Sequence, residues 1–354
     1  MNFSKSSNQI SFSLTQFSDI LFAWYFKNGR SMPWRGEKDP YKIWISEIIL
    51  QQTRVNQGWE YYVRFIENFP DIKSLANATL EKVLKVWQGL GYYSRARNLH
   101  YSAQLICNQY DGIFPHNYDD ILKLKGIGDY TAAAIASIAF DLPYPVVDGN
   151  VFRIICRIFG IFDDITLPAT KKLITTKCVQ LMGNSPSGDF NQAIMDFGAI
   201  QCKAQNPLCL DCPFKEDCFA YINQKVKVLP FKKKNIKVKI RYFNYFIYCK
   251  NDQIIIQERR DNDIWKNLYE FPLIETDSKS YKSFESLLLK QNASLQPYWK
   301  IKHKLTHQII VASFFKIPVE EFPILDDNQL IINIKEVEKY PFPKIIAQFI
   351  RLIS

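Results

Sequence analysis

The sequence predicts a multidomain protein: an all-α domain over residues 1–222, a basic connector over 223–238 and an α/β domain over 239–354. Three observations carry this expectation. From about residue 10 to 222 the apolar side chains recur at helical spacing, and turn residues such as Phe69-Pro70-Asp71 and Asp111-Gly112 punctuate them. From Lys225 to Asn235 dense positive charge surrounds Pro230, the composition of an extended connector rather than a core element. Beyond it, Tyr242 to Tyr248 and Gln253 to Glu258 are β-rich runs flanking the turn-like Lys250-Asn251-Asp252, which predicts a hairpin. A chain of 354 residues is long enough for two such domains to bury separate cores.

Bulk properties narrow the function classes. Lys and Arg number 45 against 35 Asp and Glu, a net charge of +10, and the pI is near 9.0. That balance suits a polyanionic partner, although a solvated Lys-rich surface has the same composition. The opening residues lack the apolar stretch of a secretory signal, and nowhere do about 18 apolar residues run together. A soluble, cytoplasmic protein with no membrane partner is expected. In a reducing compartment eight cysteines are free thiols or metal ligands rather than a disulfide framework.

Along the first domain, Asp39-Pro40 is a cap-then-proline start, and the helix it opens is expected to run from Tyr41 to Arg54. Glu47 falls on the apolar stripe of that helix, with Ile43 and Trp44 one turn before it and Leu50 one turn after. Apolar flanks disfavour the charged carboxylate, so the pKa should rise and the group could serve as a general acid. A Glu at the edge of the stripe, reaching solvent, is the alternative. Next, Leu124 to Thr131 places Gly126 and Gly128 between a short helical run and the Ala-rich run Ala132 to Phe140. Two glycines so spaced allow a tight turn whose backbone N–H groups and helix N-terminus can bind phosphate; a plain helix connector would read the same way. Asp148, before Gly149-Asn150-Val151, is placed to cap a helix, and an ionised carboxylate there could also stabilise an oxocarbenium-like sugar cation.

Four cysteines cluster at the end of this domain. Cys202, Cys209, Cys212 and Cys218 form C-x6-C-x2-C-x5-C, whereas Cys107, Cys156, Cys178 and Cys249 are scattered and read as small buried hydrophobes. Four neighbouring thiols make a tetrathiolate site, and the spacing alone leaves zinc and an iron–sulfur cluster both open.

Taken together, these segments resemble the helix–hairpin–helix DNA glycosylases, a superfamily that includes endonuclease III and the MutY-type adenine glycosylases. The hairpin segment near 118–140, the loop Val146 to Val151 and the four-cysteine loop 202–218 carry the resemblance over about residues 15–222. It implies a [4Fe–4S] cluster held by Cys202, Cys209, Cys212 and Cys218. Trp44 to Thr53, Gly89 to Arg97 and Phe190 to Asp196 are similar to MutY-type stretches in particular. In bifunctional relatives the position matching Tyr130 is a lysine that attacks the sugar; a tyrosine has no amine with which to form a Schiff base. The resemblance therefore implies a monofunctional enzyme in which Glu47 protonates adenine and Asp148 stabilises the sugar cation. Tyr130 and Asn150 would orient the two carboxylates, Trp34, Arg35 and Gln192 would line the pocket for the flipped base, and Gln51, Gln52 and Tyr92 would fill the gap in the stack.

In the second domain, Glu258-Arg259-Arg260 and Trp265 to Pro272 resemble the Nudix-like C-terminal domain of MutY-type enzymes, which recognises 8-oxoguanine. The Arg-Glu-x-x-Glu-Glu cluster of hydrolytic Nudix enzymes is missing from Leu273 to Leu295, which implies reading rather than hydrolysis. Leu305-Thr306-His307 aligns with a Phe-Ser-His loop of relatives, keeping a hydroxyl and an imidazole but losing the aromatic face. The implied partner is double-stranded DNA holding 8-oxoguanine·A or G·A mispairs, bound by a monomer. An endonuclease III-like lyase and a non-catalytic lesion-binding protein are the alternative readings.

Overall fold

The structure, a computed structural model, describes residues 14–233, 238–278, 284–290, 294–305 and 307–353. Thr306 and residues 234–237 of the expected connector lie outside the described residues.

The first two-thirds are helical: α1 (Leu14–Asn28), α2 (Pro40–Leu50), α3 (Val55–Asn68), α4 (Ile72–Asn77), α5 (Leu80–Val86), α6 (Ser94–Gln109), α7 (Tyr118–Lys123), α8 (Asp129–Phe140), α9 (Gly149–Phe159), α10 (Pro168–Met182), α11 (Ser187–Ile200) and α12 (Phe219–Ile222). The Ala-rich sequence of α8 makes it the hub. Small side chains let neighbours approach on all sides, Thr131 to Ile138 are all buried, and the helix packs on α2, α7 and α11. A second core gathers α1, α9, α10 and α11 around Phe17, Ile154, Phe190 and Phe197. Each fully buried side chain of this size contributes roughly 1.5–3 kcal/mol relative to exposure.

The C-terminal part is a mixed sheet of β1 (Lys239–Lys250), β2 (Gln253–Glu258), β3 (Tyr269–Glu270), β4 (Leu273–Thr276), β5 (Trp299–Lys304), β6 (Gln308–Pro318) and β7 (Gln329–Asn333), with α13 (Glu285–Lys290) and α14 (Lys344–Ile353). The expected hairpin is present, with Cys249 opposite Ile254 and Lys250 opposite Gln253. β1 also runs parallel to β6, which pairs antiparallel with the edge strand β5. α14 lays Phe349 on Phe314, ring centroids 4.3 Å apart, and so covers one face; Phe284 and Leu288 cover one end of the other.

Two differences from expectation concern the boundary. The compact units are Met1–Ile66, Asp71–Lys73 and Ser102–Lys234 on one side, and Glu67–Pro70, Ser74–Tyr101 and Asn235–Ser354 on the other. Ser74–Tyr101 thus groups with the C-terminal strands. Lys85 Nζ donates to the carbonyl of Tyr340, Tyr93 Oη to that of Phe342 and Arg97 Nη1 to that of Lys266, long-range bonds that helical periodicity cannot reveal. The first half of the expected connector is also no free linker. Leu229 is buried in the helical core, and its carbonyl accepts from Arg157 Nε. Among the described residues no helix is long and apolar enough to cross a membrane.

Candidate active site

α2 begins as its sequence dictates: Asp39 accepts from the Tyr41 backbone N–H and Pro40 takes the first helical position. It ends earlier than expected, at Leu50 rather than Arg54. Gln51 leaves the helical region, and its amide donates to Thr131 Oγ1 of α8 at 3.2 Å. Gln52 follows with φ at 57°, a left-handed conformation uncommon for a residue with a Cβ. The two glutamines therefore sit on a corner between α2 and α3 rather than along a helix.

Glu47 lies on α2 with 8% of its surface exposed. Burial raises its pKa from 4.5 to about 7; the hydrogen bond with Tyr130 and the nearby Arg35 charge oppose the rise, and the Asp148 charge adds to it. Tyr130, in the first turn of α8, also points its hydroxyl at Met195 Sδ, 3.2 Å away. One hydroxyl proton serves one acceptor at a time. With Glu47 ionised the tyrosine donates to the carboxylate; with Glu47 protonated the carboxyl can donate to Tyr130, whose own proton turns to the sulfur.

These groups line a cavity of about 80 Å³ together with Trp34, Arg35, Ser46 and Gln192. Sequence reasoning missed what fixes its far wall. Asp196, fully buried on α11, accepts from the Arg30 backbone N–H at 3.0 Å, Arg30 Nη2 at 2.5 Å and Arg35 Nη2 at 2.8 Å. A buried carboxylate is costly unless paired, and two guanidinium groups pair this one. Arg35 is thereby held with its Nε buried and without a hydrogen-bond partner among the described residues. Asp196 falls within the segment singled out from sequence, but nothing local in that segment points to residues 30 and 35.

Asp148 does not line this cavity. It caps α9, accepting from the N–H groups of Asn150 and Val151 at 2.8 Å each, and its second oxygen accepts from Asn150 Nδ2 at 2.7 Å. Arg153, one turn on, donates to Asn150 Oδ1 at 2.8 Å and to the carbonyls of Gly198 and Cys202. A Cβ on Gly198 would lie 2.5 Å from the Asn150 Cβ, so α11 can support Asn150 only with glycine there. Arg153 and Gly198, too, were missed, being identifiable only from tertiary contacts.

In the hairpin Gly126 adopts φ 86°, which calls for glycine, while Gly128 is extended and precedes α8. Apart from its chain neighbours, a Cβ on Gly128 would meet no atom of the described residues within 4 Å, so its surface side is open. Tyr92 has φ 48° and is 47% exposed, and His307 is exposed in the turn closed by the Leu305 N–H to Gln308 carbonyl bond. Leu305 instead packs partly against the C-terminal core.

Cys202, Cys209, Cys212 and Cys218 line one cavity, with Arg157 beside them: its Nη1 is 3.4 Å from Cys202 Sγ. Burial pushes the Cys212 thiol up to about 12, and the neighbouring cysteines add to the rise. Among the described residues no group of three or more His, Cys, Asp or Glu side chains is spaced to hold a metal ion. Cys156 and Cys178 are buried, as expected of small hydrophobes; Cys107 and Cys249 are only partly so.

Comparison with known proteins bears on these features directly. Residues 45–180 match the HhH-GPD superfamily of base excision DNA repair proteins, and residues 244–352 match the NUDIX domain. The chain is 30% identical to a thermostable thymine-DNA glycosylase, with a TM-score of 0.55 over 59% of this chain and 97% of that one. It shares the fold of endonuclease III in a non-covalent DNA complex, with a TM-score of 0.52 at 21% identity over 60% of this chain and 98% of that one. Helical domain, hairpin and buried carboxyl thus define a base excision DNA glycosylase carrying a Nudix-like domain. Within that class the chain is 35% identical over 345 residues to the adenine DNA glycosylase of Buchnera aphidicola subsp. Baizongia pistaciae, covering 96% of this chain and 97% of the relative. It is 41% identical over 217 residues to the adenine DNA glycosylase of Mus musculus, covering 59% of this chain and 42% of that protein. It belongs to the adenine DNA glycosylase family.

Proposed function

We propose that the enzyme removes adenine mispaired with 8-oxoguanine or guanine by acid-assisted hydrolysis of the N-glycosidic bond, without a Schiff-base intermediate on the enzyme. The observation that carries this reading is Glu47, buried, hydrogen-bonded to Tyr130 and lining the same cavity as Trp34, Arg35 and Gln192. A carboxyl with a pKa of about 7 is substantially protonated at neutral pH and can donate a proton to N7 of an extruded adenine, improving the leaving group. Asp148, fixed by two backbone N–H groups and by Asn150, carries the charge that favours the developing sugar cation and can orient water toward it. Tyr130 supplies an orienting hydroxyl where a lyase would need an amine.

Several groups would engage the duplex. The N–H groups around Gly126 and Gly128 would take a phosphate, Gln51, Gln52 and Tyr92 would enter the gap beside the flipped base, and Thr306 and His307 would read the opposite base. Cys202, Cys209, Cys212 and Cys218 would hold a [4Fe–4S] cluster: four thiols sharing one partly apolar cavity repel one another once ionised, and a metal centre offsets that repulsion. When bound, the cluster would brace the loop from which the Cys202 carbonyl meets Arg153.

The test is single-turnover release of free adenine from duplexes with 8-oxoguanine, guanine or thymine opposite the adenine. Release from the first two and not the third supports the reading, whereas equal release from all three contradicts the opposite-base assignment. Iron and sulfide at four atoms each per chain, lost on replacing Cys209 by Ser, would support the cofactor; stoichiometric zinc would contradict it.

A further inference from the structure

On β5 exposed and partly buried residues alternate, and every exposed one is a lysine: Lys300, Lys302 and Lys304. Side chains two apart on a strand share a face at intervals of about 6.7 Å, so the ladder spans roughly 13 Å, close to the axial rise of about four nucleotides of one DNA strand. Directly opposed residues share that face. Lys304 pairs with Ile309, Lys302 with Val311 and Lys300 with Ser313, and these continue into Ile240, Tyr242 and Asn244 of β1 and Thr276 and Ile274 of β4. None of these strand positions is acidic. The carboxylates nearest in the sheet lie on the other face, where Glu275, opposite Phe243, is paired with Arg241.

Among the described residues neither Lys302 nor Lys304 has an ion-pair partner, and Ile240 on the same face is 51% exposed. The ladder runs straight into the turn that presents His307, whose carbonyl anchors the Lys239 N–H at the start of β1. Lys302 and Lys304 beside the aliphatic surface of Ile240 complement phosphates with sugars between them.

We propose that the exposed end of this face, from Lys302 and Lys304 across to Ile240, is a backbone track for the DNA strand read by the His307 turn, with Lys302 and Lys304 as phosphate contacts. The proposal rests on the adenine-excision reading for the identity of the nucleic acid. An edge strand also uses lysines to block strand-to-strand association, and the experiment separates the two roles.

The full-length double variant Lys302→Gln/Lys304→Gln is compared with wild type for equilibrium binding to an 8-oxoguanine·A duplex between about 50 and 200 mM salt, alongside Lys302→Arg/Lys304→Arg. Losing two phosphate contacts should flatten the slope of log affinity against log salt by about 1.8 and weaken binding roughly 10- to 100-fold at 100 mM salt. The arginine variant should keep both, and the saturated single-turnover rate should stay unchanged. An unchanged slope in the glutamine variant, with or without self-association, would overturn the track while leaving the excision reading intact. A wild-type chain that binds no duplex would bring down both.

Discussion

In the proposed reaction a single proton at Glu47 decides whether its carboxyl can act as the acid. Because its pKa is raised to about 7 by burial, base release should fall with rising pH along a one-proton curve centred near that value. Stability should move the same way. Below pH 4.5 the carboxyl is neutral in both folded and unfolded chains; above it the unfolded chain ionises first, and stability drains away until pH passes about 7. The full difference corresponds to roughly 3 kcal/mol. Glu47→Gln should therefore abolish excision yet raise the melting temperature at pH 8 relative to wild type, with little gain at pH 4; thermal denaturation at both pH values checks this. Asp196→Asn should act differently. It breaks a buried pair with Arg30 and Arg35, for which a loss of about 3–5 kcal/mol is expected, and frees Arg35, so denaturant titration should show the stability loss and excision should slow even at saturating enzyme. Glu47 was legible because Ile43, Trp44 and Leu50 surround it on one helix; Asp196 was not, because its partners lie more than 160 residues away in sequence.

At the scale of elements, the site is made where helices start and stop. The cap at Asp39, the hairpin before α8 and the cap at Asp148 follow from residues whose local chemistry is strong, and all could be read from sequence. The end of α2 could not. Gln51 to Arg54 have ordinary helix propensities, and the chain turns there only in its tertiary setting, where Gln51 bonds to α8. The same holds for α9: Arg153 was invisible as a functional group, yet it joins Asn150 to the carbonyls of Gly198 and Cys202. Arg153→Gln should release Asn150 and slow base excision by about one to two orders of magnitude, by analogy with the loss of other supporting interactions, while duplex affinity stays within a few-fold. Gly198→Ala forces a Cβ to within 2.5 Å of the Asn150 Cβ unless α11 moves, and should lower both rate and stability by overpacking, about 1–3 kcal/mol for the latter. Single-turnover kinetics and chemical denaturation measure the two effects.

For the whole molecule, composition anticipated a polyanionic partner and two domains of different class, and the helical and mixed-sheet parts bear out the class of each. Where the domains divide was less legible: hydrogen bonds from Lys85, Tyr93 and Arg97 tie a helical segment to C-terminal backbone carbonyls, and no composition shift marks such an attachment. With a net charge of +10, overall duplex affinity should fall steeply between about 50 and 200 mM salt, and a flat dependence would argue against phosphate contacts as its main source. The proposed mechanism turns on one comparison: single-turnover treatment of an 8-oxoguanine·A duplex by wild type and Glu47→Gln, with and without alkali. It predicts that wild type frees adenine but yields a broken strand only after alkali, and that the variant frees none. Strand scission without alkali, or full activity in the variant, would contradict it.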